Sequence, residues 1–333
     1  MSPSEEDQLD LRPYWHPVAW ALEVGRSPYT TVLLGERLVI WRVGGTIVAA
    51  PDRCPHRGTA LSLGAVQGQH LVCPYHGWHF DAAGMCRKVP QMTTETPIPG
   101  RTRLETYSCE ERYGLIWVAL EPPRFDIPAF PEWLDRAYRH VRCEPYTWST
   151  SAGRMMENFT DFGHLGYLHD GLLGSRDDLV VAPHRVRQIG RELHYEISIS
   201  VPNTNDRFAV TDLTEECGRQ TNSYVLSLPF TLRLRCQYED SGAYRTLFFA
   251  VQPRSETEST GYCYQSRNFD LAAEDAPFAE FQELLARQDK PIVESQLPKE
   301  LPLEATAELQ LPFDRVAIAY RRALRDLVPL GPS

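Results

Sequence analysis

The chain lacks the features that direct a protein into or across a membrane. Residues 1–15, MSPSEEDQLDLRPYW, contain neither the basic segment nor the apolar segment of a secretory signal peptide. No apolar run approaches the roughly 20 residues that a helix needs to cross a bilayer. The sequence therefore predicts a cytoplasmic protein without membrane association.

A surplus of positive charge is also missing. The 34 Lys and Arg residues are outnumbered by 44 Asp and Glu residues, which gives a formal net charge of −10 at pH 7. Proteins that bind nucleic acids need a concentrated face of Lys and Arg to attract the phosphates. We therefore expect no nucleic-acid partner.

Nucleotide-cofactor motifs are absent as well. No Gly-x-Gly-x-x-Gly segment follows a predicted strand, and no flavin or nicotinamide motif is found. The cysteines do not have the spacing of a plant-type ferredoxin. Any redox reaction of this chain must therefore take its electrons from a separate protein.

The eight cysteines do not indicate disulfides. An even number suggests a disulfide framework in a small secreted protein, but this chain has 333 residues and no export signal. Only Cys54 and Cys73 have histidines at ligand spacing. The others are expected to be structural: Cys86, Cys109, Cys143, Cys217, Cys236 and Cys263.

The length and the strand patterns predict two domains. Residues 28–50 contain three β-rich runs separated by turn signals, which is typical of a meander, and Gly114–Ala119 is a further apolar run. We expect an all-β domain over residues 12–120. A proline-rich passage over residues 121–133 opens the second domain, residues 121–333.

The second domain combines strands with a few helices. Residues 155–169 are predicted to be partly helical, and residues 185–268 contain alternating runs typical of antiparallel strands. Helices are predicted over 276–290, with Asp275 as N-cap, and over 314–328. A curved antiparallel sheet wrapped around a long helix fits this pattern.

Two short segments of the first domain carry potential metal ligands. They read Cys54-Pro-His56-Arg-Gly and Cys73-Pro-Tyr-His76-Gly-Trp. Zinc accepts mixed Cys and His ligands, and a two-iron cluster accepts both thiolates on one iron and both imidazoles on the other. Each segment supplies one ligand of each kind, which favours the cluster. His70 and His79 lie outside the pattern and are not expected to bind metal.

This pair of segments resembles the Rieske [2Fe–2S] motif, including the sixteen residues between His56 and Cys73. The resemblance implies that Cys54 and Cys73 bind one iron and that His56 and His76 bind the other. A cluster of this kind is a one-electron relay. Because no membrane anchor is found, we expect a second redox centre in the chain.

A second set of candidate ligands lies over residues 157–170, ENFTDFGHLGYLHD. His164 and His169 stand among apolar residues, and Asp161 precedes His164 by one helical turn. Two core histidines bonded to backbone carbonyls are the plain alternative to a metal site. Two histidines and a carboxylate are typical of non-haem Fe(II) oxygenases.

The carboxylate is expected from the helix that follows the sheet. Asp289 falls on one apolar stripe with Phe281, Leu285 and Ile292, so its charge faces the core. Pro291 is expected to kink the helix at this point. His184 and His194 are expected to be surface or strand histidines.

The segments over residues 157–170 and 288–296 resemble those of the Rieske non-haem iron oxygenases. The resemblance implies an α+β chain in which the all-β Rieske domain precedes a helix-grip (START/Bet v1-like) catalytic domain with an antiparallel sheet. It implies His164, His169 and Asp289 as ligands of a mononuclear Fe(II). Asp161 would bond an iron-ligating histidine and meet His76 of a neighbouring subunit in a homotrimer, and Asn158 would support the site.

The length, the segment RYGLIWVAL and the tail LPFDRVAIAYRRALRDL resemble the short branch of this family. That branch contains aromatic-ether demethylases and natural-product monooxygenases, including saxitoxin-pathway hydroxylases. We therefore expect hydroxylation of a C–H bond in a moderate-sized organic substrate, with O2 and electrons from a separate ferredoxin or NAD(P)H-dependent reductase. O- or N-demethylation is the alternative within this chemistry. A non-catalytic electron-transfer or ligand-binding protein is the alternative of another class.

Overall fold

In the computed structural model, residues 9–202, 217–238, 242–304 and 306–327 are described. The chain divides into two compact units, an N-terminal unit, Leu11–Ile127, and a C-terminal unit that begins at Pro128. The predicted boundary after residue 120 lies seven residues before this division. Parts of two predicted elements lie outside the described residues, namely positions 203–216 and 239–241 of the strand region and position 328 of the last helix.

The N-terminal unit is built from short antiparallel strands. They are β1 (His16–Trp20), β2 (Tyr29–Leu33), β3 (Glu36–Val43), β4 (Thr46–Pro51), β5 (Ala65–Gln67), β6 (His70–Val72), β7 (His79–Phe80), β8 (Cys86–Lys88), β9 (Ser108–Arg112) and β10 (Leu115–Ala119). Their sheet orders are β1-β10-β9, β2-β3-β4 and β5-β6-β7-β8. The predicted meander is thus confirmed as β2-β3-β4.

The meander separates two apolar cores because successive side chains of a strand point to opposite faces. In β3, Leu38 and Ile40 belong to one core, whereas Val39 and Trp41 belong to the other. The second core also contains Cys54, Cys73, Leu61, Leu71 and Phe80. The two segments with candidate cluster ligands are therefore fixed to the face of the meander that carries Trp41.

The C-terminal unit contains one antiparallel sheet and, within the described residues, a small number of helices. Its strands are β11 (Arg139–Arg142), β12 (Tyr146–Trp148), β13 (Val186–Ile189), β14 (Glu192–Pro202), β15 (Cys217–Ser227), β16 (Thr231–Tyr238), β17 (Tyr244–Ser255) and β18 (Glu258–Arg267). Its helices are α1 (Ala152–Asn158), α2 (Leu165–Leu168), α3 (Ala276–Ser295) and α4 (Arg315–Arg325). The sheet order is β11-β18-β17-β16-β15-β14-β13, with β12 also paired to β18. The predicted fold class is confirmed.

Helix α3 differs from its prediction in length and in one face. It runs on through Pro291 to Ser295, because a proline removes a single backbone donor and neighbouring bonds can hold the helix. Ile292, placed on the apolar stripe, is 50% exposed, whereas Val293 is 2% exposed and continues the stripe. Asp275 stands at the N-cap position without capping the helix, because its carboxylate binds Arg139 at 2.8 Å instead.

Helix α4 is attached to α1 by buried ion pairs. The Arg321 guanidinium donates to both carboxylate oxygens of Glu157, at 2.6 and 2.8 Å. Glu308 accepts hydrogen bonds from Arg321 and from Arg154, the latter at 2.6 Å. Arg154 and Arg321 are 3% and 5% exposed, so their charges depend on these carboxylates. The tail thus packs against α1 through these charged contacts.

Within the described residues, no helix is long and apolar enough to span a membrane.

Candidate metal centres

The two cluster-ligand segments form loops with the same backbone hydrogen bonds. In the first loop the amide of Gly58 donates to the carbonyl of Cys54 at 2.9 Å, and the amide of Cys54 donates to Thr59 at 2.8 Å. In the second loop Gly77 and Trp78 bond Cys73 in the same two ways, at 3.0 and 2.9 Å. Gly58 and Gly77 adopt φ values of +73° and +68°, which glycine reaches without steric cost. Each loop is therefore shaped locally, by a glycine four residues after its cysteine.

The loops bring the four predicted ligands together as two pairs. Cys54 and Cys73 are both 2% exposed, and burial raises the pKa of the Cys54 thiol to about 11. The Nδ1 atoms of His56 and His76 lie 3.2 Å apart, and the Trp78 ring stacks on His56 at 4.4 Å. Two nitrogens bound to one metal at about 2.1 Å in near-tetrahedral geometry are separated by roughly this distance.

The spacing between the pairs distinguishes zinc from a dinuclear cluster. The four ligand atoms of one tetrahedral zinc lie within roughly 4 Å of one another. Among the described residues, only His164, His169 and Asp289 form a group of three or more ligand atoms within 4.8 Å. No such group joins the Cys pair to the His pair among these residues, which favours two metal ions over a single one. The two pairs fit a cluster with a buried sulfur end and a partly exposed histidine end.

The second centre joins two distant segments of the C-terminal unit. The hydroxyl of Ser151 caps α1 by accepting from the amide of Arg154 at 3.2 Å. His164 and His169 flank the short helix α2, and Asp289 comes from the buried face of α3. Helical spacing alone therefore places two of the ligands, and packing of α3 supplies the third.

The three side chains converge on one point. The Nε2 atoms of His169 and His164 lie 3.1 and 3.8 Å from the same carboxylate oxygen, Oδ1 of Asp289. That oxygen is buried and has no hydrogen-bond partner among the described residues. A buried carboxylate oxygen without a donor is costly unless a cation neutralises it. Two imidazoles and a carboxylate on one side of a metal match the non-haem Fe(II) ligand set.

Neighbouring side chains shift the pKa values of Asp161 and His169 at this site. Burial raises the pKa of Asp161, but the 3.1 Å hydrogen bond and the charge of His164, together with the backbone amides of Gly163 and His164, outweigh burial and lower the pKa overall. Burial lowers the pKa of His169, but the contacts with Asp289 and Gln288 raise it by more. Asp161 is therefore favoured in its negative form beside His164, and the contacts with Asp289 and Gln288 make the His169 imidazole more basic.

Sequence reasoning missed one member of the site and misplaced another histidine. Gln288 lies 2.7 Å from Nδ1 of His169, a contact that its place beside Asp289 did not reveal. His184, expected at the surface or on a strand, is 6% exposed and precedes β13. His194 lies on β14 and is partly exposed, as expected. Asn158 is the last residue of α1, and its backbone carbonyl accepts a hydrogen bond from the amide of Asp161 at 3.4 Å.

Aromatic rings surround the metal-binding segment. Phe162 lies between Asp161 and His164 in the chain and packs edge-on against His184 at 5.0 Å. Tyr195 and Tyr224 stack on each other at 4.6 Å, and both lie within 6.1 Å of the Phe162 ring. Phe162, Tyr195 and Tyr224 therefore form a buried aromatic cluster that joins the metal-binding segment to the sheet.

Two family descriptions match the two units of the chain. Residues 14–108 match the Rieske [2Fe-2S] domain, and residues 148–329 match the vanillate O-demethylase oxygenase C-terminal domain. Together the matches cover most of the chain. The first range contains the two candidate pairs of the N-terminal unit, and the second contains His164, His169 and Asp289.

Individual relatives span nearly the whole length. Methylxanthine N1-demethylase NdmA of Pseudomonas putida is 34% identical over 95% of this chain and 89% of that protein. Methylxanthine N3-demethylase NdmB of the same organism is 29% identical over 98% of this chain and 92% of that protein. The solved structure of Pseudomonas putida NdmA with caffeine has a TM-score of 0.86 at 33% identity and covers 97% of this chain and 93% of that one.

Proposed function

The chain belongs to the Rieske non-haem iron oxygenases, and we propose that it removes a methyl group from nitrogen or oxygen of a planar aromatic or heteroaromatic substrate. Members of this family carry a [2Fe–2S] cluster and a mononuclear iron, and they are oxidoreductases that use O2. The alternative of a non-catalytic protein is therefore wrong, and the expected enzyme class is confirmed. The expected oxygenase chemistry holds at the family level.

Demethylation and hydroxylation share their first reaction. A methyl C–H bond on the heteroatom X is hydroxylated, and the resulting X–CH2OH group releases formaldehyde and leaves X–H. The balanced reaction consumes R–X–CH3, O2, two electrons and two protons, and it yields R–X–H, formaldehyde and water. Hydroxylation of a methyl on carbon would stop at a stable alcohol. Formaldehyde therefore indicates demethylation, and a stable alcohol indicates hydroxylation of a methyl group on carbon.

In this proposal the N-terminal unit would hold the cluster and the C-terminal unit would hold the mononuclear iron. Cys54, Cys73, His56 and His76 would hold the cluster, which supplies single electrons when bound. His164, His169 and Asp289 would hold ferrous iron, which supplies O2 activation. Asp161 would orient His164 through the 3.1 Å hydrogen bond. Asn158 would support the turn between α1 and His164.

The observation that carries the proposal is the near full-length match to two demethylases of N-methylated heteroaromatic rings.

The experiment supplies the purified enzyme with NADH, a ferredoxin-reductase pair and a panel of N- and O-methylated heteroaromatics. We expect O2 uptake together with equimolar formaldehyde and a product lighter by one methylene. The matched control is the same panel carrying C-methyl groups instead. Formation of a stable alcohol without formaldehyde, or no substrate-dependent O2 uptake across the panel, would contradict the proposal.

We further propose that a separate reductase serves the enzyme, since no flavin or nicotinamide motif is found in the chain. A cytoplasmic homotrimer, in which Asp161 meets His76 of a neighbouring subunit, is part of the same proposal. The mass measured by light scattering tests it, because a monomer in dilute solution would leave Asp161 without this partner.

A further inference from the structure

Gln288 precedes Asp289 on α3, and the role argued for it rests on the metal ligands of the proposed function. The His169 imidazole is 1% exposed and is held at both ring nitrogens by α3. Its Nε2 atom lies 3.1 Å from Oδ1 of Asp289, and its Nδ1 atom lies 2.7 Å from Oε1 of Gln288. Two consecutive residues of α3 therefore face the two ring nitrogens of His169.

The chemistry of a metal-binding imidazole fixes the direction of the second contact. Nε2 can bind a metal only through its lone pair, so the proton must reside on Nδ1. The Nδ1–H group then donates to the amide oxygen of Gln288. The opposite orientation of the amide would set an N–H group of Gln288 against the N–H of His169. The tautomer of His169 and the orientation of Gln288 thus determine each other.

Backbone contacts leave this ring dependent on Gln288. The amide of His169 donates to Leu165 at 3.2 Å, and its carbonyl accepts from Leu172 and Leu173 at 2.9 and 3.0 Å. These bonds hold the main chain around His169 but not the rotation of its side chain. Among the hydrogen bonds of His169, the one between Nδ1 and Gln288 constrains rotation of the ring when Nε2 faces a metal.

The two histidines of the site have different partners. His164 faces the carboxylate of Asp161 at 3.1 Å, whereas His169 faces a neutral amide. A carboxylate partner increases the basicity of a ligand histidine, and a neutral acceptor orients the ring without adding charge. We propose that Gln288 is a positioning residue that sets the tautomer and the ring plane of His169 and thereby the affinity of the site for Fe2+.

The test measures Fe2+ binding, under anaerobic conditions, to cluster-containing enzyme from which a chelator has removed the labile ferrous ion. Gln288→Met keeps the length of the side chain and removes the acceptor, and we expect about 10–100-fold weaker Fe2+ binding. Gln288→Glu retains an acceptor and should bind Fe2+ within about threefold of the parent enzyme. Arg287→Met changes the preceding, exposed residue and is the matched control, with unchanged affinity.

A second readout separates positioning from general stability. The visible spectrum of Co2+ bound at the site should change in Gln288→Met and return in Gln288→Glu, while the melting temperature stays within a few degrees. If Gln288→Met is insoluble, Gln288→Asn replaces it, because a side chain one methylene shorter cannot reach His169. Binding by the acceptor-free variant within about threefold of the parent enzyme, or equal loss in Met and Glu variants, would overturn the proposal.

The failure of this inference can be told apart from failure of the proposed ligands. Asp289→Ala should abolish Fe2+ binding if the ligand assignment is correct. Loss in Asp289→Ala with full retention in Gln288→Met would reject only the role of Gln288. Retention in Asp289→Ala would reject the ligand set itself.

Discussion

The two metal centres of this chain are built in opposite ways. In the N-terminal unit all four proposed ligands come from residues 54–76, and each loop closes on itself through bonds between its own glycine and cysteine. In the C-terminal unit the third proposed ligand, Asp289, follows the second, His169, by 120 residues and lies on another helix. The first centre is therefore specified locally, and the second depends on the packing of α1 to α4.

The two centres also differ in the residues that surround them, which are apolar at the first and charged at the second. The cluster cysteines lie in an apolar core with Leu61, Leu71 and Phe80. The segment with the iron histidines is supported by buried charges, Glu157 and Arg321. An apolar core tolerates small changes in shape, whereas a buried ion pair becomes strongly unfavourable when one partner is lost. Variants can therefore disable one centre and leave the other intact.

The largest effect is expected from Cys73→Ser. Serine is a poor ligand for iron, so the variant should lose the cluster, its visible absorbance and all turnover. Iron should fall from about three to about one per chain, because the C-terminal centre is independent. Cys86→Ser is the control, since Cys86 lies in the same core and is not a predicted ligand. A coloured Cys73→Ser variant with an unchanged spectrum would refute the ligand assignment.

Asp289→Ala should produce the complementary loss. Removing the shared carboxylate leaves two neutral imidazoles, so iron should fall from about three to about two per chain while the cluster spectrum persists. Turnover should be abolished. Glu280→Ala removes an exposed acid from the same helix and should change neither quantity. Iron content and spectra measured on the same samples decide the result.

Arg321→Met is expected to affect stability in the C-terminal unit alone. The change strands the Glu157 carboxylate, which is 9% exposed, without its bidentate partner. Loss of one member of a buried ion pair costs about 3–5 kcal/mol. Calorimetry should show an earlier transition for the C-terminal unit and an unchanged one for the N-terminal unit. Arg325→Met, on the exposed face of α4, is the control; an equal shift in both variants would argue against the ion pair.

The smallest effect is a pH-dependent one at Glu308. Its hydrogen bond with Arg154 lowers the pKa of Glu308 to about 2, against the opposing effect of burial and with further help from Arg321. A lowered folded-state pKa stabilises the fold above the unfolded value, about 4.5, and this stabilisation is lost as pH falls towards about 2. Glu308→Gln should therefore cost about 1 kcal/mol at neutral pH, because the carboxylate is partly exposed and solvent screens it.

Denaturant unfolding at several pH values checks this prediction. The difference between the parent protein and Glu308→Gln should narrow steadily below pH 4.5, where Glu308 is protonated in the unfolded chain. A difference that stays constant down to pH 2 would show that the carboxylate charge is not the source of the stability.

The sequence predicts more of the first centre than of the second for a physical reason. Ligand type, spacing and turn glycines all lie within the loops of Cys54 and Cys73, so local rules suffice. The stripe that carries Asp289 could also be recognised, because buried positions repeat along α3. The sequence predicts Ile292 as the next buried residue, whereas the structure buries Val293. The apolar stripe is broad, and the sequence pattern does not show where its centre lies.

Contacts between distant segments could not be predicted. Gln288 reaches His169 across 119 positions, and Arg321 reaches Glu157 across 164. Cys143 and Cys263, which look isolated in the sequence, are buried neighbours whose backbones bond at 3.0 Å. Periodicity and spacing describe one element at a time, whereas these pairs depend on which elements the fold places side by side.

The bond between Arg321 and Glu157 has a consequence for synthesis of the chain on the ribosome. The segment that ends in His169 can form its short helices early, but Glu157 has only the 3.6 Å contact with Arg154 as an ion pair until α4 has emerged, about 150 residues later. Premature termination between α3 and α4 would release a polypeptide that holds the proposed ligands of both centres but lacks Arg321, the bidentate partner of Glu157. Such a product would still be coloured, so colour alone is a poor measure of intact enzyme.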